Sequence, residues 1–238
     1  ASVFHHTVSE MDLVDRSVPE SLKLVLLGGE QVNLESLQTW TDRLTKSTRF
    51  LNAYGPTETT VAATMFEELC QPGRGYAYPK VPIGRPVPNV RVYVLDEKGE
   101  PVPEGLPGEL YIGGAGVTAG YLNNEEENKK VFIEDNFEGH GKLYRTGDMV
   151  RYLSDGNLIY LGRKDEQIKL RGYRIELSEI EAVLREDESV EEAVVILRED
   201  VPGVKLLVAY LVGKEKTDKE LSQSLEKRVP SYMVPGAY

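Results

Sequence analysis

The sequence predicts a mixed α/β and β fold: the end of a doubly wound α/β core, a small β-barrel unit, then a small α+β lid-like domain. Three changes of texture carry that reading. Apolar runs stopped by glycine alternate with a helical-period segment over residues 1–78. Short strand patterns with frequent Gly and Pro fill 79–164, and helices with capping signals alternate with strands over 165–238. The implied division is a larger body, 1–164, and a small mobile unit, 165–238, that is itself truncated.

In the first stretch Leu22-Lys23-Leu24-Val25-Leu26-Leu27 is a short apolar run ended by Gly28-Gly29, as suits a strand buried on both faces. Leu34, Leu37, Trp40 and Leu44 recur at helical spacing, and residues 50–54 read as the next strand, broken by Gly55-Pro56. Strand, helix, strand is a parallel crossover unit, and ligands sit at the C-terminal ends of such strands. Gly28-Gly29-Glu30 and Gly55-Pro56-Thr57-Glu58 both fall at that edge.

In the second stretch Val90, Val92 and Val94 alternate with Arg91, Tyr93 and Leu95 before an Asp96-Glu97-Lys98-Gly99 turn. Residues 110–112, 143–145, 149–153 and 158–161 read as further strands, and their frequent turns suggest a small barrel or sandwich. Beyond Gly162-Arg163-Lys164-Asp165, Ile168 and Leu170 alternate with Lys169 and Arg171. Ser178-x-x-Glu181 has capping-box spacing and opens a helix carrying Ile180, Val183 and Leu184. Residues 190–197 and 205–212 read as strands, and Thr217-x-x-Glu220 caps a last helix with Leu221, Leu225 and Val229.

A net charge of −11 argues against a nucleic-acid partner, because a phosphate backbone needs a basic face. No apolar run approaches the ~18–20 residues of a membrane helix, and Ala1-Ser2-Val3-Phe4 does not begin a signal peptide, so no membrane partner is expected. The single cysteine, Cys70, excludes an internal disulfide framework and reads as a partly buried thiol in a reducing, cytoplasmic setting. His5, His6 and His140 read as surface histidines rather than a metal site.

Five ordered segments resemble the adenylate-forming (AMP-binding) superfamily, and in detail the adenylation domains of nonribosomal peptide synthetases. They are Asn52-Ala53-Tyr54-Gly55-Pro56-Thr57-Glu58; Gly108-Glu109-Leu110-Tyr111-Ile112-Gly113-Gly114 running on to Gly120-Tyr121-Leu122; Tyr144-Arg145-Thr146-Gly147-Asp148; Gly162-Arg163-Lys164-Asp165-Glu166-Gln167-Ile168-Lys169-Leu170-Arg171-Gly172-Tyr173-Arg174-Ile175-Glu176; and Val229-Pro230-Ser231-Tyr232-Met233-Val234-Pro235. The resemblance spans almost the whole chain. It implies ATP-dependent activation of an amino acid as its adenylate, then transfer to the phosphopantetheine thiol of a carrier domain, with neighbouring synthetase modules as partners. It also implies elements outside this stretch: a phosphate loop and an α-amino anchor upstream, and a catalytic lysine past Tyr238. The chain by itself is therefore expected to be inactive.

The first half-reaction joins two anions, so it needs charge neutralisation and in-line placement more than acid–base chemistry. Glu58, just after a Gly-Pro turn at a strand end, is the candidate Mg2+ ligand, and Thr57 beside it can donate to a phosphate oxygen. Alone, Tyr54 and Asn52 fit a buried strand aromatic and a turn cap. The resemblance turns them, with Ala53, towards the adenine. Asp148 matches a carboxylate that accepts from the ribose hydroxyls, Arg163 a cation for ribose or phosphate, and Tyr160 a cover on the nucleotide's other side.

Asp165 matches the family's hinge. Lys169, Arg171 and Gly172 either face the pantetheine arm after the hinge turns or form the polar side of an amphipathic strand. By motif position, Leu26, Gly28, Ala53, Val61 and Ala62 line the side-chain pocket, whose small uncharged walls suit a bulky substrate; a further wall falls near Ser2. Two alternatives stand beside this reading. One is a D-alanine–carrier-protein ligase or acyl- or aryl-CoA ligase of the same superfamily, and the other is a non-catalytic interaction fragment.

Overall fold

The structure, a computed structural model, describes residues 3–7, 20–34, 37–38, 42, 44, 48–69, 78–137, 141–201, 204–214 and 216–238. Ser2, Trp40, Cys70 and His140 fall outside these residues, and His5 and His6 are described by backbone alone. The chain divides into two compact units, Ala1–Lys164 and Asp165–Tyr238.

The first unit carries two sheets. In the first, β1 (Val3–Thr7), β2 (Leu24–Gly28) and β3 (Arg49–Tyr54) run parallel, and β4 (Thr64–Leu69) and β5 (Arg85–Pro86) follow antiparallel, in the order β1-β2-β3-β4-β5. Alternation along a strand sends successive side chains to opposite faces. Val25, Leu27 and Phe50 therefore enter one apolar cluster with Leu22, Val32, Leu37, Leu44, Phe66 and Val81. The register pairs Leu26 with Leu51 and Gly28 with Ala53, so these four share the other face.

The second sheet is antiparallel, built from β6 (Val90–Leu95), β7 (Gly108–Gly114), β9 (Lys142–Tyr152) and β10 (Leu158–Arg163) in the order β10-β9-β7-β6, with β8 (Phe132–Glu134) on β9. Strand β7 is central and buried on both sides. Leu110 and Ile112 join Tyr54, Ala63, Ile83, Val94, Val150 and Leu158, whereas Tyr111 joins Leu95 and Leu143. Helix α1 (Glu125–Val131) leads into β8, with Asn124 as its cap accepting from Glu127 N–H.

The barrel expected from the turn-rich pattern does not close among the described residues. Connecting segments occupy the two outer strands instead. Val102 N–H donates to Val94 O on β6, and Ile83 N–H donates to Leu158 O on β10 while Leu158 N–H donates to Gly84 O. Backbone groups satisfied in this way are not available to zip the sheet shut. The unit ends at Lys164, whose N–H donates to Gly147 O at 2.9 Å and whose ammonium lies 3.8 Å from Glu109.

In the second unit, β11 (Ile168–Leu170) and β12 (Tyr173–Ile175) form a hairpin whose two-residue turn is Arg171 (φ 52°) and Gly172 (φ 80°). Both turn residues are left-handed, the geometry whose twist matches paired strands. Helix α2 (Leu177–Arg185), strands β13 (Val190–Val201) and β14 (Val204–Gly213), and helix α3 (Asp218–Leu225) follow. Leu170, Ile175, Leu177, Ile180, Leu184, Ala193, Val195, Leu207, Ala209 and Leu225 make their common core.

The two capping signals fare differently. Thr217 Oγ1 accepts from Glu220 N–H and Glu220 Oε2 accepts from Thr217 N–H at 3.0 Å, a completed capping box worth about 1 kcal/mol. Ser178 caps nothing. Leu177 belongs to the core, so α2 starts ahead of Ser178, with Glu176 at the cap and no side-chain cap bond. Glu181 instead accepts from Val195 N–H at 2.9 Å, satisfying a backbone group on the outer edge of β13.

Candidate functional site

At the end of β3 the chain reverses at Gly55. A Cβ there would lie 2.6 Å from Ala63 N, closer than any side chain permits, so glycine lets Ala63 N–H reach Tyr54 O at 2.8 Å. One 3-10 turn, Thr57–Thr59, follows, and then Thr60 (φ 61°) and Val61 (φ 70°) both adopt left-handed backbone. β-Branched residues resist that region, at about 1–3 kcal/mol each. Tethers from the loop after β7 hold them there. Thr60 Oγ1 donates to Gly116 O at 2.7 Å and Thr118 N–H donates to Glu58 O at 2.9 Å. Gly116 must be glycine for this approach, since a Cβ would stand 2.9 Å from Thr59 O.

This geometry buries Glu58 to 6% exposure while Thr57 stays exposed beside it. Glu58 Oε1 accepts a hydrogen bond from the Tyr121 hydroxyl at 2.5 Å. Burial first, then this bond, pushes the Tyr121 phenol far above its ordinary range, so it remains a neutral donor. Among the described residues no group of three or more His, Cys, Asp and Glu gathers to cage a metal. A buried carboxylate of this kind suits a hard cation that brings its own phosphate and water ligands.

A second acidic centre is built by strand register. Asp148 on β9 pairs with Arg163 on β10 because the ladder shifts by one residue between Tyr160 and Gly162. Arg163 Nη1 donates to Asp148 Oδ1 at 2.9 Å and to Thr146 O at 3.0 Å, and the Tyr54 hydroxyl donates to Asp148 Oδ2. Asp148 N–H donates to Thr146 Oγ1, which donates onward to Leu110 O at 2.7 Å. Asp148 is 2% exposed. Burial, reinforced by the Asp148 charge, holds the Tyr54 hydroxyl well above the usual phenol range. The Tyr160 ring lies 6.5 Å from that of Tyr54, tilted by 38°.

Thus Tyr54, Asp148, Tyr160 and Arg163 come together, and Thr57 and Glu58 follow Tyr54 on the same strand-end loop. Asn52 is buried, with its Nδ2 donating to Pro82 O at 2.8 Å. Leu26, Gly28 and Ala53 are half-buried on one sheet face, and a Cβ at Gly28 would lie 3.0 Å from Ala53 O. Val61, 76% exposed, and Ala62 sit on the loop beyond. Asp165, Lys169, Arg171 and Gly172 belong to the second unit. Asp165 is exposed and accepts from Gln167 N–H, Lys169 lies on β11, and Arg171-Gly172 is the hairpin tip. Tyr121, Thr146 and Gly116 are the side chains and close contacts that residue reading passed over. The first two sit inside quoted motifs, but nothing in their spacing marks them as partners of Glu58 and Asp148.

Comparison with known proteins adds to this geometry. The family model described as AMP-binding enzyme matches residues 2–122, and that described as AMP-binding enzyme C-terminal domain matches 179–238. The chain is 47% identical, over 91% of its length, to malpibaldin synthetase of Mortierella alpina, and spans 4% of that protein. It is 44% identical, over 92% of its length, to tyrocidine synthase 3 of Brevibacillus parabrevis, and spans 3% of it. It is similar in fold to the nonribosomal peptide synthetase protein PA1221, which contains adenylation and PCP domains, with a TM-score of 0.87, 29% identity, and coverage of 99% of this chain and 40% of that one. No helix among the described residues is long and apolar enough to cross a membrane.

Proposed function

Because the chain belongs to the AMP-binding enzyme family, we propose that it forms part of an adenylation domain of a nonribosomal peptide synthetase, which activates an amino acid with ATP and loads it onto a carrier domain. An oxygen of the amino-acid carboxylate attacks the α-phosphorus, and pyrophosphate leaves. The pantetheine sulfur then attacks the acyl carbon of the adenylate, and AMP leaves.

The single observation that carries this reading is the convergence of three distant segments. The Tyr54 hydroxyl and the Arg163 guanidinium meet at the buried Asp148 carboxylate, and Tyr54 lies on the strand whose end leads to Glu58. A carboxylate offers about four lone-pair sites, so Asp148, already oriented by a phenol and a guanidinium, can also accept from paired ribose hydroxyls. Tyr54 and Tyr160 supply flat surfaces for a base, and Asn52 Oδ1 would accept from its amino group. Mg2+ fits Glu58, and when bound it neutralises the phosphates between which charge builds up. Thr57 is placed to donate to a phosphate oxygen. Leu26, Gly28, Ala53, Val61 and Ala62 are the proposed walls for the amino-acid side chain.

In the second half-reaction Asp165 serves as hinge, and Lys169, Arg171 and Gly172 attend the pantetheine arm. At the hairpin tip Gly172 presents backbone with no side chain, which suits close approach to a thin linear group. The test is ATP–pyrophosphate exchange by the intact enzyme against amino, fatty and aryl acids. Exchange with one or a few amino acids is expected. Exchange with non-amino acids alone overturns the proposal, and exchange with D-alanine alone points to a carrier-protein ligase.

A further inference from the structure

Tyr121 carries no assigned role, yet it is fastened at both ends. Its backbone is gripped by one side chain: Asn128 Oδ1 accepts from Tyr121 N–H at 2.6 Å, and Asn128 Nδ2 donates to Tyr121 O at 2.8 Å. Asn128 stands on α1, a helix with its own cap at Asn124. Gly120 (φ 139°) makes the grip possible, since a Cβ there would meet Asn128 Oδ1 at 2.8 Å. The Tyr121 ring packs edge-on against buried Phe132, with centroids 5.6 Å apart. Its hydroxyl ends 2.5 Å from Glu58 Oε1, and the main chain of Glu58 is held separately by Thr118.

A short bond from a hydroxyl to a carboxylate is among the stronger hydrogen bonds, and its direction is specific. Unlike a guanidinium, a neutral phenol orients a carboxylate without cancelling its charge. Groups that orient a metal's ligand in this way govern the site's affinity. We infer that Tyr121 is a positioning residue, held by Asn128 through the backbone, that sets the Glu58 carboxylate for a divalent cation. This rests on the proposed role of Glu58 as the cation's ligand.

The test uses the intact enzyme with ATP and Mn2+ as the probe, with free Mn2+ read by electron paramagnetic resonance. Y121F keeps the ring and its packing on Phe132 but loses the hydroxyl. It is expected to weaken Mn2+ binding about ten-fold, with the melting temperature near that of the parent. In pyrophosphate exchange the half-saturating Mg2+ concentration should rise more than the rate at saturating Mg2+ falls. N128A should shift Mn2+ affinity in the same direction, by less. E58Q separates the two layers of the argument. If E58Q weakens Mn2+ binding and Y121F does not, the positioning role is wrong and the reading of Glu58 stands. If E58Q leaves Mn2+ affinity unchanged, the reading of Glu58 fails and the inference falls with it. A Y121F protein that melts earlier yet binds Mn2+ normally also overturns it.

Discussion

Asp148 and Glu58 are both buried acids near the end of β3, but they are held by different means. Asp148 lies in a regular ladder, where strand pairing and one register shift set Arg163 opposite it. Glu58 lies in a single 3-10 turn followed by two left-handed residues, a loop kept in shape by hydrogen bonds with another loop. Rigid pairing can carry a buried ion pair whose loss is felt by the whole fold. A tethered loop can hold a group whose loss is felt mainly by the ligand.

The largest effect should come from breaking the ladder-held pair. Arg163→Met removes a partner whose side chain is 10% exposed and leaves the Asp148 charge buried, so a loss of about 3–5 kcal/mol is expected in urea unfolding. A loss below 1 kcal/mol would erase the contrast. Next, Glu58→Gln should lower pyrophosphate exchange by about 10²-fold or more while unfolding stays close to that of the parent. An equal loss of stability would place Glu58 in the same class as Asp148. Thr60→Val deletes the bond to Gly116, and about 1 kcal/mol of stability should go with it, measured by urea unfolding. Amide exchange of residues 57–62 should accelerate more than that of β3 in this variant.

The second unit offers a smaller version of the same contrast. Thr217→Ala removes a completed cap and should cost about 1 kcal/mol, whereas Ser178→Ala should stay within about 0.5 kcal/mol. The two positions have the same Ser/Thr-x-x-Glu spacing, so only the tertiary context separates them.

That pair also shows what could be read from the residues alone. Glycine-bounded apolar runs located β2 and β3 closely because their signal is local. The Thr217 box was legible for the same reason, and the Ser178 box was misread because the core's demand for Leu177 decides where α2 starts. The expectation of a closed barrel failed similarly, since closure depends on what covers β6 and β10, and those covers come from segments outside the strands. The bond between Tyr54 and Asp148 spans 94 positions and has no periodicity to announce it. The motifs pointed to both residues, but not to their contact with each other. Asn128 gave no signal, because a helix-surface asparagine in a polar segment looks like solvent-facing chain until Gly120 brings Tyr121 against it.

Val61 has a practical meaning for anyone who would redesign this loop. Its φ of 70° is a conformation in which glycine, asparagine and aspartate rest easily, yet the position carries a β-branched side chain that is 76% exposed. A randomised library at this codon would therefore be skewed before any substrate is offered. Its best-expressed members would carry glycine, asparagine or aspartate, and screening on yield would enrich these whatever they contribute to function.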